Sequence, residues 1–249
     1  RIIEEAAQKD EFRKQLIKGL AEIGAFGPYS TEEYGGAGMD HISYGLIMQE
    51  IERGDRGVRS TASVQSSLVM YPIFKYGTEE QRKKFLPKLA SGEMMGCFGL
   101  TEPDHGSNPA GMTTNFKDKG DHYLLNGAKM WISNSPFADI AIVWAKNEEG
   151  RIHGLIVERG MEGFTTPETH NKCSLRARAP VPLVFYHVHF PKSTLMPDNS
   201  GLLAPLVCLY SARYGIAWDP IGASLVSSFP SFRYSFVRPH FVQPIASFQ

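Results

Sequence analysis

Gly96-Cys97-Phe98-Gly99-Leu100-Thr101-Glu102-Pro103-Asp104-His105-Gly106-Ser107-Asn108-Pro109 is where the chain changes character. It opens as a short apolar strand and becomes a loop crowded with glycine, proline and hydroxyl side chains. Such a loop offers backbone N–H groups and small hydroxyls to a ligand with little bulk in the way. Before it, apolar residues recur with a helical period; after it, with the period of strands.

On the helical side, Phe12, Leu16, Leu20 and Ile23 share one face, with Asp10 placed to cap the helix and Gly24 and Gly27 placed to stop it. The pattern is helical from Arg1 onward, so the start reads as the middle of something longer, with any targeting segment upstream. A turn-rich linker, Tyr34-Gly35-Gly36-Ala37-Gly38, precedes a helix that begins at Asp40 and carries Tyr44, Ile47 and Ile51. No strand precedes these glycines, which removes the dinucleotide fingerprint. A third helix spans Ala62 to Phe74, and Thr78 with Gln81 forms a capping box ahead of Phe85 and Leu89.

From about Met94 the reading is β. His122 to Leu125, the pair Asn126-Gly127, and Lys129 to Ile132 predict a hairpin with a two-residue turn. Ile140 to Ala145, Ile152 to Val157 and Leu183 to Phe190 predict further strands. Short strands at this spacing imply an antiparallel barrel or sandwich and exclude a doubly wound parallel sheet. From about Leu206 a helical face returns with Leu209, Ala212, Ile216 and Ala217. After Ser224 it fades, as Pro230, Pro239 and Pro244 interrupt scattered Phe229, Phe232, Phe236, Phe241 and Phe248. A proline inside a helix costs about 3 kcal/mol, so an irregular tail is expected. The fold class is therefore α+β: a helical domain over 1–94, a middle β-domain over 95–204, and the start of a second helical domain over 205–249.

Composition narrows the function classes. The 249 residues are 42% hydrophobic and 21% charged, with a formal net charge of +0. That balance carries no footprint for nucleic acid or an anionic membrane, and no apolar run is long enough to span a bilayer. Cys97, Cys173 and Cys208 are odd in number and widely spaced. They form neither a disulfide framework nor a zinc set, and a reducing compartment follows.

Several side chains could carry chemistry. Thr101 and Ser107 can donate to a carbonyl or phosphate oxygen, or can satisfy their own turns. Trp131 ends a strand beside Ser133, where it can lie against a planar ring or fill a core. Arg59 and Ser60 open an otherwise uncharged helix. Arg59 can clamp a carboxylate bidentately, or it can be a solvated helix-end arginine paired with Glu52. His187 and His189 lack a completing Cys, Asp or Glu and read as surface histidines. No nucleophile elbow, P-loop or zinc signature is present.

The Gly96–Pro109 stretch resembles the flavin- and substrate-binding loop of the acyl-CoA dehydrogenases, glutaryl-CoA dehydrogenase above all. Val58-Arg59-Ser60 running into Ser63-Val64-Gln65-Ser66-Ser67-Leu68-Val69-Met70 is similar to the segment those enzymes use at the far end of the substrate. Leu125-Asn126-Gly127-Ala128-Lys129-Met130-Trp131-Ile132-Ser133-Asn134-Ser135 resembles the flavin-contacting hairpin of the family. Ser211-Ala212-Arg213-Tyr214-Gly215-Ile216-Ala217-Trp218 resembles the start of its third domain.

The resemblance implies FAD between the β-domain and the helical bundle, contacted by Phe98, Leu100, Thr101, Ser107, Trp131, Ile132 and Ser133. It also implies Ser107 near the thioester, Arg59, Ser60 and Glu52 at the distal carboxylate of a glutaryl chain, and Arg213 along the coenzyme A path. The activity implied is oxidative decarboxylation of glutaryl-CoA to crotonyl-CoA and CO2. Another acyl-CoA dehydrogenase or oxidase, or a non-catalytic fragment that binds acyl-CoA and FAD, stands as the alternative. The implied partners are an acyl-CoA substrate, an electron-transfer flavoprotein and three further copies in a homotetramer. The location would be the mitochondrial matrix in a eukaryote and the cytoplasm in a bacterium.

Two departures from the family pattern stand out. Its catalytic glutamate lies on a later helix that this sequence lacks, so no base is assigned, and neither Glu102 nor Glu52 takes that role. In the tail, the family's arginine is followed three residues later by Phe-Gly. Here Arg238 is followed by Pro239, His240, Phe241 and Val242, leaving Arg238 and Gln249 as flavin candidates without that motif. Arg178-Ala179-Pro180-Val181-Pro182 departs likewise from a small glycine-containing turn.

Overall fold

The computed structural model describes residues 14–167, 181–197, 199, 201–240 and 243–244. The expected cap at Asp10, Cys173, most of the Arg178–Pro182 turn and Gln249 lie outside the described residues.

The helical part holds α1 (Lys14–Glu22), α2 (His41–Gly54), α3 (Arg56–Ser63), a π-helical segment (Val64–Met70), α4 (Tyr71–Tyr76) and α5 (Glu79–Ala90). Local chemistry sets its boundaries. Asp40 caps α2 by accepting from the Ser43 N–H at 2.7 Å, and Asp55 caps α3 from the Val58 N–H at 2.8 Å. The box at the start of α5 is complete, with Thr78 and Gln81 each accepting the other's backbone N–H. The single helix expected from Ala62 to Phe74 is instead the π-helical segment flanked by α3 and α4.

The strands are β1 (Gly96–Gly99), β2 (Asn115–Asp118), β3 (His122–Ile132), β4 (Ile140–Lys146), β5 (Ile152–Glu158), β6 (Phe164–Thr165) and β7 (Val181–Pro191). They form one seven-stranded sheet with the path β1-β4-β2-β3-β7-β6, and β5 pairs with β4. Pairing is mostly antiparallel, as expected, but β1 runs parallel to β4 along its whole length. Strand β4 is buried on both faces. Ile140, Ile142 and Trp144 join the helical core with Phe98, while Ala141, Val143 and Ala145 join a second core with Leu125, Leu183, Phe185 and Val188. A strand covered on both sides reads as a continuous apolar run, which is how Ile140–Ala145 reads.

The expected Asn126-Gly127 hairpin is corrected: β3 runs straight through both residues and pairs with β7, not with itself. Each fully buried large apolar side chain contributes about 1.5–3 kcal/mol. Leu125 against Val188 and Gly127 opposite Phe185 keep those side chains in the core, which outweighs the turn preference of Asn-Gly. The pair marks a β-bulge instead. Gly127 adopts φ 141°, and a Cβ there would lie 2.6 Å from Thr114 Cα. Across from it His187 takes φ 51° and donates its N–H to Asn126 Oδ1 at 2.9 Å. His187 and His189 are exposed, and among the described residues no three His, Cys, Asp or Glu side chains gather as metal ligands.

The carboxy-terminal helices are α6 (Leu203–Ala217) and α7 (Asp219–Val237), followed by a small ribbon of Pro239–His240 and Gln243–Pro244. The tail is therefore not irregular through residue 237. Pro230 sits inside α7, on a helix whose side chains from Phe229 to Val237 are largely exposed. Helix α7 docks on α2 through small residues: a Cβ at Gly222 would meet Gln49 O at 2.4 Å, and one at Gly45 would meet the Trp218 ring at 2.2 Å. No described helix is long and apolar enough to cross a membrane.

Candidate functional site

A cavity of about 350 Å³ opens between the loop after β1, the end of β3, the π-helical segment and α6. Val64, Leu68, Leu206 and Leu209 form its helical wall, and Phe98, Leu100, Trp131 and Ile132 its β wall. Thr101, Ser107, Ser133 and Arg213 bring polar groups to it. The structure thus gathers eight of the sequence candidates: Phe98, Leu100, Thr101, Ser107, Trp131, Ile132, Ser133 and Arg213. The apolar helical wall was not anticipated, although Val64 and Leu68 lie four apart in a stretch of small polar residues, a usable signal.

The end of β3 is built to aim Trp131. The β3–β7 register slips between Lys129 and Ile132. Trp131 takes φ 61° there and Asn134 φ 66°. A bulky aromatic residue in that region is a genuine outlier, and such strain costs about 1–3 kcal/mol, concentrating at ligand sites. Its result is an indole that is 61% exposed yet part of the cavity wall. The Met130 N–H donates to Thr101 O at 2.8 Å, which fastens this bulge to the loop. Buried Asn134 braces the far side by donating to Gly96 O at 3.3 Å.

Beneath the loop lies a buried ion pair absent from the expected site. Lys129 is fully buried and its Nζ donates to Glu102 Oε1 at 2.9 Å and Leu100 O at 3.1 Å. Glu102 also accepts from the Thr113 N–H at 2.7 Å, the Thr113 hydroxyl at 2.9 Å and the Thr114 N–H at 3.0 Å. Burial pushes the Glu102 carboxyl up, but these donors and the Lys129 charge prevail and hold it at about 2. Burial presses the Lys129 ammonium down to about 8 against the pull of Glu102. Glu102 is thus an ionised anchor beneath the loop, a weak base whose oxygens are already engaged and which lies outside the cavity lining.

Arg59 is not a solvated helix-end residue. It is 5% exposed, with Nε 3.0 Å from Glu52 Oε2 and Nη2 2.5 Å from Asp219 Oδ2. Glu52, Arg59 and Ser60 are buried and lie outside the cavity lining, although Val64 and Leu68 continue the same helical rod into its wall. Arg238 ends α7, exposed, its guanidinium 5.6 Å from the Tyr234 ring centroid and away from the cavity.

Three hydroxyls of the cavity wall are free. Among the described residues, Thr101, Ser107 and Ser133 have no side-chain hydrogen-bond partner, and exposed Arg213 has no carboxylate partner. With the outward-turned indole, they suit a planar, polar-edged ligand carrying an anionic group.

Residues 1–93 match the acyl-CoA dehydrogenase N-terminal domain, and residues 97–188 match the acyl-CoA dehydrogenase middle domain. The chain belongs to the acyl-CoA dehydrogenase family. A glutaryl-CoA dehydrogenase from Mycobacterium smegmatis, solved in complex with FADH2, is 44% identical with a TM-score of 0.95, over 98% of this chain and 63% of that one. A short-chain specific acyl-CoA dehydrogenase of Megasphaera elsdenii is 34% identical over 99% of this chain and 67% of its own length. An electron transferring flavoprotein structure of Acidaminococcus fermentans is 33% identical with a TM-score of 0.93, over 99% of this chain and 66% of that one. The chain spans roughly two thirds of the length of each of these three proteins.

Proposed function

We propose that this chain is an FAD-dependent acyl-CoA dehydrogenase acting on glutaryl-CoA, which it converts to crotonyl-CoA and CO2. The observation that carries the reading is the convergence of Trp131, Thr101, Ser107, Ser133 and Arg213, all unpartnered, on one cavity. The M. smegmatis enzyme, with its FADH2, supports the cofactor and the substrate class.

The residues present fit the cofactor. The Trp131 indole offers a flat wall, Phe98, Leu100 and Ile132 exclude water, and the Thr101, Ser107 and Ser133 hydroxyls can donate to carbonyl oxygens along a ring edge. When bound, FAD supplies a hydride acceptor for the substrate's β-carbon. The protein's part is to orient the thioester. Ser107 and the loop's backbone N–H groups would donate to the thioester oxygen, stabilising the enolate-like charge as the α-proton leaves. Arg213, exposed at the cavity rim, would pair with a phosphate of coenzyme A. Arg59 and Ser60 would face the distal carboxylate, with Glu52 orienting the guanidinium. Arg238 and Gln249 remain proposed contacts of the flavin pyrophosphate. Among the described residues no carboxylate lines this cavity, so the proton acceptor is not assigned to any of them.

A second reading, oxidation of an uncharged short acyl chain, is favoured by one observation: Arg59 is already engaged by two carboxylates. For the full assembly we propose an electron-transfer flavoprotein as redox partner, a homotetramer, and a mitochondrial-matrix or bacterial cytoplasmic location.

The test is spectroscopic. The full chain loaded with FAD is titrated with glutaryl-CoA and butyryl-CoA while the flavin bands are followed. Perturbation of the flavin spectrum by either thioester supports the acyl-CoA site, and the stronger response identifies the chain it prefers. A flavin spectrum unchanged by both would refute the reading.

A further inference from the structure

We propose that Asp219 is a built-in competitor for the distal carboxylate of a dicarboxylic acyl-CoA, holding the Arg59 guanidinium that such a ligand needs. The site then accepts a dicarboxylic chain only when Asp219 gives that guanidinium up. This rests on the acyl-CoA reading of the cavity and adds to it a residue that sets substrate choice.

The arrangement follows from packing. Gly222 lets α7 press directly on the α2 backbone at Gln49, and Gly45 makes room on α2 for the Trp218 ring just ahead of α7. That approach leaves Asp219, at the start of α7, only 4% exposed. There its Oδ2 lies 2.5 Å from Arg59 Nη2, while Glu52 Oε2 lies 3.0 Å from Nε of the same guanidinium. Neither Asp219 oxygen accepts an aligned hydrogen bond. The residue is therefore held by charge alone, in a place where an unsatisfied carboxylate is costly.

One guanidinium thus serves two buried carboxylates, and only the mostly exposed Arg56, 3.8 Å from Glu52 Oε1, adds positive charge. A third carboxylate, brought by a ligand, would make this buried cluster net negative. It must displace Asp219 or wait for it to lose its charge. An uncharged acyl chain makes no such demand.

Proton uptake supplies the release. Burial, against the pull of Arg59, raises the Asp219 carboxyl to about 6. The charged and titratable groups facing it are Arg59 and Arg56 from α3 and Glu52 and Tyr44 from α2. As pH falls from 8 through that value the neutral fraction rises steeply, and apparent affinity scales with the competent fraction.

The experiment measures dissociation constants of glutaryl-CoA and butyryl-CoA on the FAD-loaded full chain between pH 8 and pH 5.5. The wild type should shift its glutaryl-to-butyryl affinity ratio toward glutaryl by at least about tenfold as pH falls. Asp219→Asn should show at pH 8 the ratio that the wild type reaches only at pH 5.5, and should lose the pH dependence. Adding Arg59→Met to that variant should remove the gain. A ratio unmoved by both pH and Asp219→Asn, with butyryl-CoA bound, overturns this inference and leaves the acyl-CoA reading standing. Binding of neither thioester overturns both. Asp219→Glu, which keeps the charge, is the folding control and should keep glutaryl-CoA disfavoured at pH 8; a relaxed ratio there also counts against the proposal.

Discussion

Lys129 and Asp219 are both buried ionised groups, yet their surroundings differ. Lys129 sits with a carboxylate that three further donors satisfy, whereas Asp219 has a guanidinium and no aligned donor. Breaking a buried pair by neutralising one member costs about 3–5 kcal/mol, because the other charge is left unpaired. Glu102→Gln should therefore destabilise the chain by about that much in a urea melt, and Glu102→Gln with Lys129→Met should recover most of it. Equal losses in the single and double variants would contradict the pair's role.

For Asp219 the sign is opposite to the usual carboxylate. Its folded value, about 6, is above the ordinary 3.8, so the folded state binds more protons between those values. Stability contributed at this residue is therefore present at low pH and lost as pH rises from about 4 through 6. Relative to the wild type, Asp219→Asn should gain stability at pH 7 and not at pH 4, read from paired thermal melts. None of this could be read from the sequence. Glu102 lay within the quoted loop and Lys129 at the start of a strand, with nothing to join them, and Asp219 met Arg59 only once α7 had docked.

Elements follow local rules until a tertiary contact overrides them. The caps at Asp40 and Thr78 were legible because a cap is a contact between neighbours in the chain. Asn126-Gly127 misled because its flanking strands have a better partner, β7, far away in sequence, with Leu125 pairing Val188 and Lys129 pairing Leu183. Proline misled at α7, where Pro230 is carried inside an exposed helix. The ring removes one helical bond and strains the preceding turn, so Pro230→Ala should stabilise α7 by up to about 3 kcal/mol. Increased helical circular dichroism and slower amide exchange in residues 219–237 would register the gain. Unchanged exchange would show that α7 is held by its docking on α2 alone.

For the whole molecule, the site is a product of two cores meeting at β1. Phe98 and Ile142 face the helices while Cys97 and Val143 face the curled sheet, so the loop after β1 emerges where the cores join. The Gly96–Pro109 stretch announced that boundary, and the Trp131 and Arg213 segments could be assigned to the same site by resemblance. A second boundary, α7 against α2, is where Arg59 meets Asp219. A Cβ at position 222 would force that contact apart, since Gln49 O lies 2.4 Å away. Gly222→Ala should therefore cost about 1–3 kcal/mol and raise the accessibility of Arg59 to a guanidinium reagent.

On the proposed reading, FAD sits in the Trp131 cavity. Titrating the full chain with FAD, while following flavin and tryptophan fluorescence, tests it most directly. Saturable binding of one flavin per chain is expected, with quenching of both signals, and at least about tenfold weaker binding in Trp131→Ala, the loss expected from removing one stacked aromatic wall. Failure to bind flavin, or flavin binding of equal strength in Trp131→Ala, would contradict it.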